Sequence, residues 1–149
     1  MSDKDRIATL ISIASDASRL QAAQHVAAQR LLAYDHEIYP SDGCAITLSV
    51  LLQEAGIDIP DTFGALELAR AFKKDRGWQV IDNGSQQPGD VGTTCGKVPD
   101  HGSDHIYLTL KLVNSDEMVI ADNQQPAPHF RWVSGKGGKT PTKYFLRAV

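Results

Sequence analysis

Cysteines, long apolar runs and excess basic residues are all scarce in this sequence. Two cysteines in 149 residues, Cys44 and Cys95, cannot form a disulfide framework for a chain of this length, so each is a possible reactive thiol. No stretch approaches the roughly 20 apolar residues that span a bilayer, and no apolar signal region follows the polar N-terminus. Fifteen Lys and Arg against eighteen Asp and Glu give a net charge of −3, which argues against nucleic-acid binding. We therefore expect synthesis in the cytoplasm without a Sec signal and no membrane span.

The remaining composition, 42% hydrophobic and 22% charged, is that of an ordinary globular protein, and its pattern changes along the chain. Helical periodicity dominates the first half and strand alternation the second, which predicts a single α+β domain over residues 1–149, with N-terminal helices packed on an antiparallel sheet. We predict helices over Ile7–Leu32 with a break at Ser15 and Asp16, from Cys44 to Gly56, and over Thr62–Arg76. We predict strands over Trp78–Ile81, His105–Val113, Met118–Asp122, Phe130–Val133 and Tyr144–Val149.

Cys44 stands where the second helical segment begins, and Ser41 or Asp42 is a suitable N-cap for that helix. Free backbone N–H groups and the positive end of the helix dipole stabilise a thiolate, so this position predicts a lowered thiol pKa. The same N–H groups could stabilise an oxyanion. The simpler alternative is that Cys44 is a small buried residue on the apolar stripe of the helix.

His105 is the first residue of the most regular predicted strand, on its more polar face. A histidine at the open end of a strand can reach a helix N-terminus packed on the sheet, and a Cys–His pair is the minimum for an activated thiol. The other histidines, including His129 after Pro128, do not begin so regular a strand.

A third residue should orient the imidazole by accepting a hydrogen bond from its second nitrogen. The neighbouring predicted strand ends in Asp122 and Asn123, and either side chain could accept that bond. Because successive residues of a strand point to opposite faces, only one of them can, and the sequence does not specify the register.

These residues occur in an order that resembles the papain-like NlpC/P60 and CHAP superfamily of peptidoglycan amidases and endopeptidases. A cysteine begins a helix, a Pro-Gly-Asp segment lies within Gln87–Val91, a strand begins with His105, and a second strand has a polar end. The resemblance covers about Tyr34 to Asn123. The sequence departs from the usual family pattern around Cys44, where Gly43 precedes the cysteine and an alanine follows it.

The resemblance implies Cys44 as nucleophile, His105 as base and Asp122 or Asn123 as orienting residue, without a metal or other cofactor. It also implies that Tyr34, Tyr39 and Gly43 contribute to substrate binding. The expected substrate is an amide bond of a peptidoglycan stem peptide. A short amidase domain without wall-binding repeats is similar to type VI secretion amidase effectors, which implies an immunity protein as partner and action in the periplasm or cell wall. A phage-type lysin is the alternative.

Three further interpretations remain open. Cys95, Asp100, His101, Asp104 and His105 lie close together in sequence and could bind a metal, although the glycines and proline among them disfavour the helix that such spacing requires. Cys44 and Cys95 could form a regulatory disulfide. A non-catalytic binding module on the same fold would have a structural, unreactive Cys44, whereas an enzyme would have an exposed thiol of low pKa.

Overall fold

The computed structural model describes residues 1–100 and 102–149, in which helices precede a six-stranded antiparallel sheet and confirm the α+β class. The helices are α1 (Ile7–Ser15), α2 (Ala17–Asp35), α3 (Cys44–Glu54) and α4 (Ala65–Arg70), with a 3₁₀ turn at Lys4–Arg6 and a π-helical turn at Ala71–Asp75. The strands are β1 (Gln79–Ile81), β2 (Val91–Thr93), β3 (Ile106–Leu112), β4 (Glu117–Ala121), β5 (His129–Trp132) and β6 (Tyr144–Arg147). Their order in the sheet is β1-β6-β2-β3-β4-β5.

Local sequence signals account for the helix boundaries. Ser2 and Asp5 bond to each other's backbone N–H groups, as a capping box requires. The predicted break between α1 and α2 is confirmed at Asp16, whose carboxylate accepts from the N–H groups of Ser18 and Arg19. These bonds satisfy helix-end donors that would otherwise lack partners. Because each bond joins residues two or three positions apart, the sequence pattern predicts it.

Helix α3 is the central helix, and every residue from Cys44 to Leu52 is buried. The helix is followed by the C-cap Ala55 and then by Gly56, which has a φ of 87°. The Gly56 N–H donates to the Gln53 carbonyl and the Ile57 N–H to the Leu52 carbonyl, which together form a Schellman motif. This motif defines the C-terminal end of the helix.

The sheet is covered on both faces near its centre. Ile106, Leu108 and Leu110 of β3 pack in the main core with the helices. On the opposite face Tyr107 is fully buried in a second apolar cluster that includes Phe145. The predicted polar character of that face is therefore wrong for the middle of β3, because distant parts of the chain cover it.

The short strand β2 was not predicted, because residues 82–104 have the composition of turns. It has three residues and lies between β6 and β3. Its central residue, Gly92, leaves the space that the ring of Tyr107 occupies across the strand pair. A three-residue strand with a glycine is too short to show a period of two, so only the strand pairing identifies it.

The Pro-Gly-Asp segment precedes β2 and ends in Asp90, which is only 2% exposed. The Asp90 carboxylate accepts from Nε and Nη2 of Arg147 at 2.9 and 2.7 Å, and it also accepts from the Gln87 N–H. This two-point ion pair joins the start of β2 to the end of β6. The motif therefore has a structural role in the sheet.

Helix α4 begins at Ala65, three residues after the predicted start, and the buried Thr62 lies in the loop that precedes it. Within the described residues, none of the helices combines the length and the apolar character that crossing a bilayer requires.

Candidate active site

The start of α3 places Cys44 against the end of the sheet. The N-cap is Gly43, without a side-chain hydrogen bond, so the predicted capping by Ser41 or Asp42 is wrong. A Cβ at Gly43 would lie 2.7 Å from the ring of Tyr39, so only glycine fits there. The Tyr39 hydroxyl lies 3.2 Å from Thr47 Oγ1, one turn into the helix. Tyr39 and Gly43 therefore fix the start of the helix by close packing.

The Cys44 residue is 7% exposed, and its sulfur lies near the backbone N–H groups of Ile106 and Ala45. Burial raises the pKa of the Cys44 thiol to about 12, and the two backbone N–H groups lower it only in part. The predicted lowering of this pKa by the helix start is therefore wrong, because loss of water around the sulfur outweighs the helix N–H groups. The thiol carries its proton at neutral pH.

His105 directly precedes β3, next in sequence to Ile106, whose backbone N–H acts to lower the Cys44 pKa. Its Nε2 lies 2.9 Å from Oδ2 of Asp122, whose side chain has no exposed surface. Burial acts to raise the pKa of Asp122, but the hydrogen bonds from His105 and His129 lower it more, so the pKa lies well below its ordinary value. An ionised carboxylate can only accept, so His105 Nε2 carries the hydrogen of this bond.

Strand register determines which of the two candidate orienting residues reaches His105. Leu108 pairs with Ala121, so Asp122 follows on opposite Tyr107 and shares a sheet face with His105. Asn123 points the other way, and its Nδ2 donates to the Pro40 carbonyl at 2.6 Å. Asp122 therefore contacts the imidazole, whereas Asn123 holds the loop that precedes α3.

His129 makes an unexpected contact at this sheet end. It begins β5, and its Nε2 lies 2.8 Å from Oδ1 of Asp122. Because His129 pairs with Ile120 in the ladder, it lies on the same face as Asp122 and His105. In the sequence His129 follows Pro128 and does not begin so regular a strand as His105, so it was not a candidate, and only the β4–β5 register brings it to Asp122.

Cys44 lies where two clefts meet, and Asp42 and Asp104 line both of them. The first cleft has a volume of about 510 Å³, and the second, which also contains His105, has about 540 Å³. The first cleft is lined by four acidic residues, one basic residue and a pair of aromatic rings: Asp35, Asp42, Glu67, Asp104, Arg70, Tyr34 and Phe63. Together the two clefts resemble one groove, with Cys44 in its middle and the acidic first cleft on one side.

The predicted substrate-binding residues lie in different surroundings. Tyr34 is 64% exposed in the first cleft, and its ring stacks on Phe63 with centroids 3.9 Å apart. Gly43 lines the second cleft. Tyr39 is half-buried behind Gly43, where it supports the helix start. Phe63 was missed because nothing in its local sequence indicates a cleft.

The rival interpretations can be compared with the same geometry. Cys44 and Cys95 are both free thiols in this structure, and burial raises the pKa of Cys95 as well. The proposed metal cluster includes His101, which lies outside the described residues. Among residues 1–100 and 102–149, no group of three or more His, Cys, Asp and Glu side chains has an arrangement that could hold a metal ion.

In comparisons with known proteins, no family model, no curated protein and no solved structure matches the chain.

Proposed function

We propose that this chain is a cysteine hydrolase with a papain-like arrangement that cleaves an amide bond in peptidoglycan stem peptides. The supporting observation is the His105–Asp122 hydrogen bond at the sheet end, beside a cysteine that begins a buried helix and lies where two clefts meet. Nucleophile, base and orienting carboxylate are the three parts that thiol acyl transfer requires.

In the proposed reaction Cys44 starts as a neutral thiol. As the sulfur attacks the amide carbon, its proton moves to Nδ1 of His105, and the carbonyl electrons move to the oxygen. Backbone N–H groups at the helix start are the candidate donors to that oxyanion. The C–N bond then breaks, and the imidazolium gives its proton to the leaving amine. Water, deprotonated by His105, hydrolyses the thioester and restores the thiol.

The lining of the first cleft is complementary to a peptide substrate that carries an amine. Three more carboxylates than guanidinium groups line it, and an exposed aromatic pair stands at its side. Stem peptides contain diamino acids, whose ammonium group complements such a surface, and their aliphatic parts can pack on Tyr34 and Phe63.

The proposal is tested with purified sacculi and mass spectrometry of the soluble muropeptides. The wild-type protein should release free stem-peptide fragments, and Cys44→Ala should reduce the rate by about 10³-fold or more. Cys95→Ser is the matched control, since it removes the other thiol and should leave the rate within a factor of about two. A Cys44→Ala rate above a tenth of the wild-type rate would contradict the assignment.

A second candidate function is binding without turnover, on the same clefts. The 7% exposure of Cys44 and its raised pKa of about 12 favour it, because both are typical of a structural cysteine. In that case sacculi would retain the protein in a pull-down, Cys44→Ala would bind equally well, and no fragments would appear at any pH.

We further propose that the activity is antibacterial, as a type VI effector with an immunity protein or as a phage-type lysin. Directing the chain to the periplasm with an added signal peptide should lyse the cells, whereas cytoplasmic expression should not. Periplasmic Cys44→Ala is the control, and lysis by this variant would argue against wall hydrolysis as the cause.

A further inference from the structure

We propose that His129 is a positioning residue that holds the Asp122 carboxylate in the orientation needed by His105. This inference rests on the proposed function, because it deepens the account of the same site. It assigns a role to the second imidazole that contacts Asp122.

The two oxygens of Asp122 have separate partners. Oδ2 lies 2.9 Å from Nε2 of His105, and Oδ1 lies 2.8 Å from Nε2 of His129. Oδ1 also accepts from the Gln124 N–H at 2.9 Å. With both oxygens occupied, the carboxylate cannot turn about its terminal bond without losing a hydrogen bond, so Oδ2 remains directed at His105.

The backbone of Asp122 is held by a different element. Nε2 of Gln24 in α2 donates to the carbonyls of Asp122 and Gln125 at 2.8 and 2.7 Å. These two bonds place the main chain but do not touch the carboxylate, whose Oδ1 is held by His129 together with the Gln124 N–H. A side chain with no exposed surface has no water to supply an alternative donor.

His129 also preserves the tautomer of His105. Because Asp122 is ionised and acceptor-only, each histidine must donate its Nε2–H to it. His105 is then left with its lone pair on Nδ1, the nitrogen that receives the thiol proton in the proposed reaction. If the carboxylate turned, the imidazole would lose this fixed orientation and its proton could move to Nδ1.

The test compares His129→Gln with His129→Asn. The glutamine amide nitrogen can occupy the position of imidazole Nε2 and donate to Asp122, whereas the asparagine amide is one methylene too short. The side chain of His129 is 23% exposed, so either polar amide can be accommodated. With sacculi as substrate, we expect His129→Asn to lower kcat about tenfold with KM unchanged, and His129→Gln to stay within a factor of about three.

A second readout needs no substrate. In protein labelled with ¹⁵N-histidine, the His105 Nε2–H should give a protected NMR signal in the wild type and in His129→Gln. We expect that signal to be lost through exchange with water in His129→Asn. If the circular dichroism of His129→Asn is not native, His129→Ser replaces it with the same expectation.

The outcomes separate the two proposals. If the wild-type protein leaves sacculi intact but the NMR signal still depends on residue 129 as described, the hydrolase proposal fails and the positioning role stands. If sacculi are cleaved and the Asn and Gln variants match the wild type in kcat and in the NMR signal, the positioning role is overturned and the hydrolase proposal stands.

Discussion

Asp90 and Asp122 are both buried carboxylates at strand ends, with exposures of 2% and 3%, yet their partners differ in kind. Asp90 faces the guanidinium of Arg147, a permanent cation that cannot release a proton in the protein. Asp122 faces two imidazoles, the side-chain group that most often serves as a general acid or base in catalysis. The first pair can only hold the sheet together, whereas the second arrangement can also take part in proton transfer. Burial alone therefore does not distinguish a structural carboxylate from a functional one.

The strongest way to test this contrast is the same isosteric change at both positions. In Asp122→Asn the new amide lies between the Nε2–H groups of His105 and His129, and its single oxygen can accept from only one of them. We expect kcat on sacculi to fall by about 10³- to 10⁴-fold, because the tautomer of His105 is no longer fixed. Asp90→Asn should lower stability in urea unfolding and leave kcat of the folded protein unchanged. A loss of kcat of similar size in both variants would remove the distinction.

The structural half of the contrast is tested by removing the cation. Arg147→Leu leaves the Asp90 carboxylate buried without its charged partner, and we expect a loss of about 3 kcal/mol in the free energy of unfolding. Arg147→Lys, which keeps the charge but loses the two-point geometry, should lose less. Urea denaturation followed by circular dichroism measures both. An Arg147→Leu protein as stable as the wild type would show that the pair contributes nothing.

The smallest expected effect concerns the pH dependence of Cys44 alkylation. In the proposed reaction Asp122 acts on this thiol through His105. With a pKa of about 12, the thiolate fraction of Cys44 rises about tenfold per pH unit between pH 7 and 9. Iodoacetamide alkylation of a Cys95→Ser protein should therefore rise by that factor per unit without a plateau, and Asp90→Asn should not alter the profile. A plateau below pH 7 would instead show a thiolate held by the His105 imidazolium.

Sequence patterns were reliable where the interactions are local. The Asp16 cap, the Gly56 turn and the strand beginning after His105 all depend on residues a few positions apart, and all three appear in the structure. The β2 strand was missed, because its three residues are defined by pairing with β3 and β6.

The candidate site shows the same contrast between local features, which the sequence indicates, and contacts between distant residues, which it does not. Order along the chain was enough to select Cys44, His105 and the Asp122–Asn123 pair as candidates. It could not choose within that pair, because a shift of one residue in the β3–β4 register exchanges the faces. It also misjudged the thiol, since helix position suggested a low pKa and only the packed structure reveals the burial that raises it.

The sequence by itself determined the α+β class, the helix break at Asp16, the turn at Gly56, and the placement of a cysteine at the start of a helix and of a histidine directly before a strand. These features follow from hydrophobic periodicity and end-capping, which act within one or two turns of chain. Only the tertiary structure decided that Asp122 bonds both His105 and His129, that two clefts meet at Cys44, and that its thiol is protonated. Each of these depends on the register between strands or on exclusion of water by distant residues, and neither is encoded in any single segment.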